Sequence, residues 1–292
     1  MNAAAPSYTV EWLQGFAVYR LAGGEIELAI VPELGAKIIS LKNLRTGREW
    51  LWRPAGGLKL FRNQMGDCFS VSPLGGVDEC LPTVAPCSCQ GRDLPDHGEA
   101  WSAAWTVDDN LLKSGILKTS LRLPVSPLEM TRTMELNGND LRIAYRLANL
   151  GEREERFIWA FHPLLQLQDG DELELPPSTR ASLRDADWVD AVDSAVPKAG
   201  CSKIFARPVV VGVGAIRNRI TGDRFEIVWN PLENDALGLW ISRGGWHGHH
   251  HFAMEPTNAA TDDLAEAVRQ KRCGRICPFD TVSWELRVRV TS

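Results

Sequence analysis

Alternation of apolar and polar residues with a period of two recurs along this chain, and it restricts the fold more than any other feature. Near the C-terminus Val282, Trp284, Leu286, Val288 and Val290 share one parity, and Ser283, Glu285, Arg287 and Arg289 share the other. Successive side chains of a strand point to opposite faces, so such a segment buries one face and leaves the other in water. Leu128, Met130, Met134 and Leu136 repeat the pattern, and after Asn137-Gly138-Asn139-Asp140 it resumes in Leu141, Ile143, Tyr145 and Leu147. Gly and Asn tolerate the backbone of a tight hairpin turn, so the two halves are expected to pair antiparallel.

Further short β-like runs are separated by turn signals at Gly23-Gly24, Arg45-Thr46-Gly47 and Thr221-Gly222-Asp223. Helical periodicity is scarce; the best stretch is Ala259 to Gln270, where Ala260, Leu264 and Val268 fall on one stripe. The expected fold is therefore all-β, a large antiparallel β-sandwich with at most one or two short helices. Sandwiches often exceed the usual domain length, so residues 8–292 are expected to form a single domain behind a flexible N-terminus of residues 1–7. Two stretches, Arg62 to Glu99 and Asp169 to Gly200, carry few strand signals and read as long loops, which often carry function.

Bulk properties exclude several classes. Net charge is −5 with both signs interspersed, which leaves no basic footprint for nucleic acid. The start MNAAAPSYTV has neither a basic nor an apolar region of a signal peptide, and no run approaches the roughly 18 apolar residues of a membrane span. A cytosolic protein is expected, monomeric or homodimeric, with no membrane partner. Its seven cysteines, an odd number, suit free thiols better than a disulfide framework. The pairs Cys87/Cys89 and Cys273/Cys277 do not repeat the paired CxxC spacing of a structural zinc site.

The six histidines fall in three places: His97 in PDHGEAW, His162 in WAFHPLL, and His247, His249, His250 and His251 in GGWHGHHHFAMEP. Each place carries Gly or Pro, where backbones turn and sites form. If Gly248 to Glu255 is a strand, His249, His251 and Glu255 share one face while Phe252 and Met254 take the apolar other. The His/Glu face is then expected to line a cleft, with Glu255 at the strand end because Pro256 has no ladder donor. The same three residues match the ligand types of a zinc or iron site, which stands as a weaker metal alternative beside an expected absence of cofactor.

The stretch ELAIVPELGAKIISLKNLRTGREWLW, followed in order by PDHGEAW, FHPLL and MEPTNA, resembles the aldose 1-epimerase / galactose mutarotase-like superfamily. That resemblance spans nearly the whole chain. It implies a β-sandwich with an open carbohydrate cleft, His162 as general acid, Glu255 as general base, and His97 holding the sugar near its ring oxygen and anomeric centre. It also implies an arginine ahead of His97, where this chain has GGVDECLPT; Asp78 and Glu79 are taken as sugar-binding in its place and as opposing a phosphate. The family's sugar-binding aspartate is sought among Asp187, Asp190 and Asp193.

Mutarotation opens a cyclic hemiacetal, turns about C1–C2 and recloses it, so a carboxylate and an imidazole suffice without a cofactor. On this reading an ionised carboxylate near His162 favours the imidazolium the acid role needs. Aromatic faces suit the C–H patches of a sugar, which adds Trp101 and Trp246 to the binding set of His97, Asp78, Glu79, His249 and His251; Trp159 and Trp240 also lie near these segments. Two other functions fit the same residues: a non-catalytic carbohydrate-binding or sensor protein, and a metal-dependent sugar isomerase or lyase built on the cluster His247 to His251.

Overall fold

The hairpin that the alternation predicts is the spine of one sheet. Leu128–Asn137 pairs antiparallel with Asp140–Asn149, Leu136 opposite Leu141 and Met130 opposite Leu147, around a turn in which Gly138 takes a φ of 60°. A computed structural model describes residues 6–72, 75–183 and 200–292 of the chain. The strand Thr281–Thr291 joins the same sheet beside Asp140–Asn149, burying Trp284, Leu286, Val288 and Val290 as its parity requires. Among the described residues eight strands make up this sheet, nine make up the other large one, and two small two-stranded sheets lie beside them.

The nine-stranded sheet carries the strands of interest. Its order runs from the exposed edge Ser7–Leu13 through Phe16–Gly23, Ile26–Val31, Lys37–Asn43, Val77–Cys80, Ala160–Leu165, His249–Thr257 and Ala236–Trp246 to Gly200–Ala206. Every pairing in it is antiparallel. One large apolar cluster joins the two sheets, with Leu28, Phe161, Leu239, Phe252 and Met254 from the nine-stranded sheet meeting Met130, Ile143, Leu286 and Val288 from the eight-stranded one. Burial of this interior is the main favourable term holding the sandwich together.

Charged groups inside this interface are paired. Arg132 and Glu79 are both fully buried and 2.9 Å apart, and Glu79 also accepts bonds from the Tyr145 hydroxyl and the Trp159 indole. Arg132 donates in addition to the Ala36 carbonyl. A buried charge without a partner is expensive, so these contacts are what permits an acidic residue in a central strand.

Three expectations change. The stretch Arg62 to Glu99 is not a plain loop: Val77–Cys80 is a central strand, and Cys87–Cys89 pairs with Arg92–Leu94. The residues of the Asp169 to Gly200 stretch up to Leu183 include the strand Asp171–Glu174 and the short helix Pro177–Ser182. The expected helix from Ala259 starts only at Leu264 and runs to Arg269, because the Asp263 side chain caps it by accepting from the Glu266 N–H, leaving Ala260 outside. A third α-helix among the described residues, one more than expected, is a single turn at Asp109–Leu112, and Phe69–Val71 forms a 3-10 turn. No helix among them is long and apolar enough to cross a membrane. All seven cysteines are free thiols.

Candidate active site

Strand parity decides which residues leave the core for the outer face of the nine-stranded sheet. Phe252 and Met254 pack into the interior, so His251, Ala253 and Glu255 point away from it. By the same alternation Phe161 and Leu165 are core and His162 and Leu164 face outward; Ile204 and Ala206 are core side and Lys203 faces outward. Ala160 lies opposite Thr257 and Leu164 opposite Ala253, and that register sets His162 across from Glu255. The strand does not stop at Glu255 but continues through Pro256 to Thr257. Pro163 and Pro256, which have no N–H, fall in the interval between these two paired positions.

His97 reaches the same place from a loop. Its backbone takes a φ of 57° and its N–H bonds the Val84 carbonyl at 2.6 Å. Gly98 follows with a φ of 73°, and a Cβ there would stand 2.2 Å from the Leu81 carbonyl oxygen, so glycine is required for the close approach. The His97 ring stacks on Phe69 at 3.8 Å with 10° between the planes, and its Nδ1 is 2.8 Å from Asp96 Oδ1. The bond and charge of His97, with the Phe69 N–H, hold the Asp96 carboxyl below its usual range despite its burial.

These segments enclose a cavity of about 170 Å³ lined by Phe69, Val84, His97, His162, Leu164, Lys203, Trp240, Trp246, His251, Glu255 and Asp262. Within it the rings of His97 and His162 are 5.2 Å apart at 87°. His162 Nε2 stands 3.6 Å from Glu255 Oε1, beyond hydrogen-bond length. Glu255 Oε2 accepts from Lys203 Nζ at 2.8 Å, and the same ammonium reaches Asp262 Oδ1 at 2.7 Å. Three buried polar atoms in this space have no partner: Glu255 Oε1, His162 Nδ1 and His251 Nε2. Such atoms are costly in an interior unless water or a ligand satisfies them.

Electrostatics of the cavity differ from expectation at His162. Burial pushes its pKa well below the ordinary value, and the neighbouring positive charges at His97, Lys203, His251 and Lys37 act in the same direction. The nearby carboxylate does not reverse this. Burial raises Glu255, while Lys203 opposes that rise and Asp262 adds to it. His251 is pushed down to about 4, chiefly by burial. Lys203 is raised by its two carboxylate partners, which outweigh its own burial.

Several sequence-predicted residues move out of the site. Glu79 faces the opposite side of its strand and belongs to the inter-sheet network with Arg132, so it does not bind a ligand. Asp78 is on the site's side but lies under the floor, 1% exposed and paired with Lys37 at 2.8 Å. Both carboxylates carry a counter-charge, so neither sets the charge of the cavity. Trp101 is buried behind Phe69, in edge contact with it, with its indole bonded to the Asp96 carbonyl; Trp159 is core. Trp246 does line the cavity, together with Trp240, whose indole donates to His251 Nδ1 at 3.3 Å. His249 sits one step farther along the same face, its ring 5.0 Å from Trp52 and 5.9 Å from Trp246.

The metal alternative finds no support in the geometry: among the described residues no three His, Cys, Asp or Glu side chains converge as a ligand set. Asp187, Asp190 and Asp193 lie outside the described residues. Lys203, Asp262, Asp96 and Phe69 are site residues that sequence reasoning missed. A cue existed for Asp96, which adjoins His97, and for Asp262, a few residues after the MEPTNA motif.

No family model and no curated protein matches the sequence. Solved structures do. A Synechocystis protein superposes with a TM-score of 0.71 at 19% identity, covering 94% of this chain and 95% of its own. A galactose mutarotase-like protein from Clostridium acetobutylicum gives 0.72 at 12% identity over 98% of both chains. A galactose mutarotase related enzyme from Lactobacillus acidophilus gives 0.68 at 16% identity over 94% and 97%. The architecture is thus the β-sandwich that these mutarotase-like proteins share. This chain has the galactose mutarotase-like fold.

Proposed function

We propose that this chain is an aldose 1-epimerase-type enzyme that interconverts the α and β anomers of an uncharged free sugar. The observation that carries the reading is the cavity in which Glu255, His162 and His97 meet with three polar atoms unsatisfied. A ring of hydroxyls offers donors and acceptors for those atoms, and Trp240 and Trp246 offer aromatic faces for C–H patches. An anionic sugar is disfavoured because the cavity's ammonium is engaged by Glu255 and Asp262. Arg62 and Arg92 are held elsewhere by Glu33 and Glu155, and Arg243 lies opposite His250, toward the far end of its strand.

In the proposed cycle Glu255 Oε1 takes the proton of the anomeric hydroxyl as C1 becomes an aldehyde. His162 gives a proton to the ring oxygen, which leaves as the C5 hydroxyl; rotation about C1–C2 and reversal of both transfers close the other anomer. Burial and the neighbouring positive charges disfavour a standing His162 imidazolium, so in this cycle His162 holds the transferred proton only in passing, beside Glu255 3.6 Å away. His97, oriented by Asp96, presents Nε2 to the sugar.

Saturation-transfer NMR on a panel of hexoses, pentoses and deoxysugars tests the proposal by the rate of exchange between anomers. Glu255→Gln is expected to lower that rate by about 10²–10⁴-fold while sugar binding survives. Full activity in that variant refutes Glu255 as the base, and tight binding without acceleration by the wild type indicates a carbohydrate-binding protein instead.

A further inference from the structure

We propose that Lys203, anchored by Asp262, is a positioning residue for Glu255: it grips one carboxylate oxygen so that the other is left facing the sugar. This rests on the mutarotase reading above for its role in turnover, though the grip itself is seen in the geometry alone.

The geometry has three parts. Lys203 projects from Gly200–Ala206, at the edge of the nine-stranded sheet, across the intervening strand Ala236–Trp246 to reach Glu255 on the next. Lys203 lies opposite Trp240 on that intervening strand, and Gly238 is paired with Phe205 on one side and Glu255 on the other; a Cβ at Gly238 would lie 3.3 Å from Glu255 Oε2 and 3.2 Å from the Phe205 ring, so glycine leaves room beside the gripped oxygen. The far anchor, Asp262, is itself fixed, since its carbonyl accepts from the Val84 and Ala85 N–H groups and the Thr83 hydroxyl. The ammonium therefore cannot swing away without leaving a carboxylate unpaired on each side.

The consequence for Glu255 is specific. Its carboxyl group is 1% exposed, and Lys203 is the cation that contacts it. The other groups around it come from several elements: His162 from the adjacent strand, Cys80 and the Asp78–Lys37 pair from the strands beyond, His97 and Asp262 from loops, and His251 from its own strand. Cys80 stays a neutral thiol because burial and the carboxylates raise it, Asp78 is neutralised by Lys37, and His162 and His251 are pushed toward their neutral forms. Burial raises Glu255, and Lys203 is the largest charge that opposes this and favours the ionised form, with His97 acting the same way; the raised pKa of Lys203 keeps it protonated and unavailable as a nucleophile.

Removing the cation while keeping the stem, in Lys203→Met, raises the Glu255 pKa. A general base is lost as pH falls through its pKa, so the acid limb of the anomer-exchange rate moves to higher pH, by roughly 1–3 units for a lost charge partner at contact distance. Lys203→Arg restores most of the wild-type profile. Asp262→Asn, which keeps the lysine but loosens its anchor, shifts the limb in the same direction by less. A direct readout that needs no turnover is the carboxyl ¹³C shift of Glu255 in glutamate-labelled protein, assigned with Glu255→Gln and titrated in wild type and variants. A Glu255 midpoint unchanged in Lys203→Met and Asp262→Asn overturns the clamp. A shifted midpoint in a protein whose wild type accelerates no sugar leaves the clamp standing and overturns the mutarotase reading alone.

Discussion

Arg132→Met isolates the electrostatics of the sandwich interior from the chemistry of the cavity. In the folded protein Arg132 and Glu79 are both at 0% exposure, and the guanidinium lies 5.4 Å from the Trp105 ring centre as well as 2.9 Å from the carboxylate. Methionine fills much of the same volume and removes the charge. Glu79 keeps its bonds from Tyr145 and Trp159 but becomes a buried anion without a counter-ion. Breaking such a pair on one side costs about 3–5 kcal/mol. With an unfolding entropy of about 2.1 cal/mol/K per residue, that loss lowers Tm by roughly 5–8 °C in a chain of this length.

The effect also has a pH signature. Burial already raises Glu79, with Arg132 opposing, so the variant raises it further. Between the unfolded and folded values the native state holds a proton that the unfolded chain has lost, and stability then falls as pH rises. The Tm deficit against wild type is therefore expected to be largest at neutral pH and above and to shrink as pH approaches the ordinary glutamate value. Thermal melts at pH 5 and pH 8 measure it, and the double variant Arg132→Met/Glu79→Gln is expected to recover much of the loss. A deficit independent of pH, or no recovery in the double variant, refutes the argument that an unpaired charge is responsible. Anomer exchange per folded molecule should not change, because neither residue touches the cavity.

Two further outcomes follow from local geometry. Gly98→Ala sets a Cβ against the Leu81 carbonyl at a backbone angle that disfavours side chains, so a Tm loss of several degrees and at least a tenfold fall in anomer exchange through displacement of His97 are expected; wild-type values for both overturn the packing argument. His251, pushed down to about 4, should show no ring-proton titration by NMR near pH 6.5, where an exposed histidine titrates. Because the unfolded chain takes up that proton first, stability should fall as pH drops from about 6.5 to about 4, and His251→Phe should flatten this slope. A wild-type midpoint near 6.5 sinks it.

The sequence was most readable where one face of a strand is buried and the other wet. Trp284 to Val290 and the hairpin about Gly138-Asn139 give their faces away by parity alone. Val77–Cys80 did not, because both of its faces are enclosed and its two acids look like surface residues until Lys37 and Arg132 supply charges from 41 and 53 positions away. That distance in sequence is why the counter-charges of Asp78 and Glu79 could not be read along the chain. His97, His162 and Glu255 were marked by neighbouring Gly and Pro; the strand register brings His162 and Glu255 together, and His97 joins them from a loop. Lys203 carried no such mark: a lysine in a strand at the sheet edge reads as solvated, and only its contacts with Glu255 and Asp262 reveal where it goes.

The two prolines beside His162 and Glu255 leave the middle of the sheet with a seam in which these strands meet through side chains rather than through a continuous backbone ladder. In the proposed cycle each proton moves between a sugar atom and one of these side chains, so the bonds that change are at side chains alone. The scaffold on either side can then stay rigid while its most reactive groups change partners, much as a joint can move without bending the beams it connects.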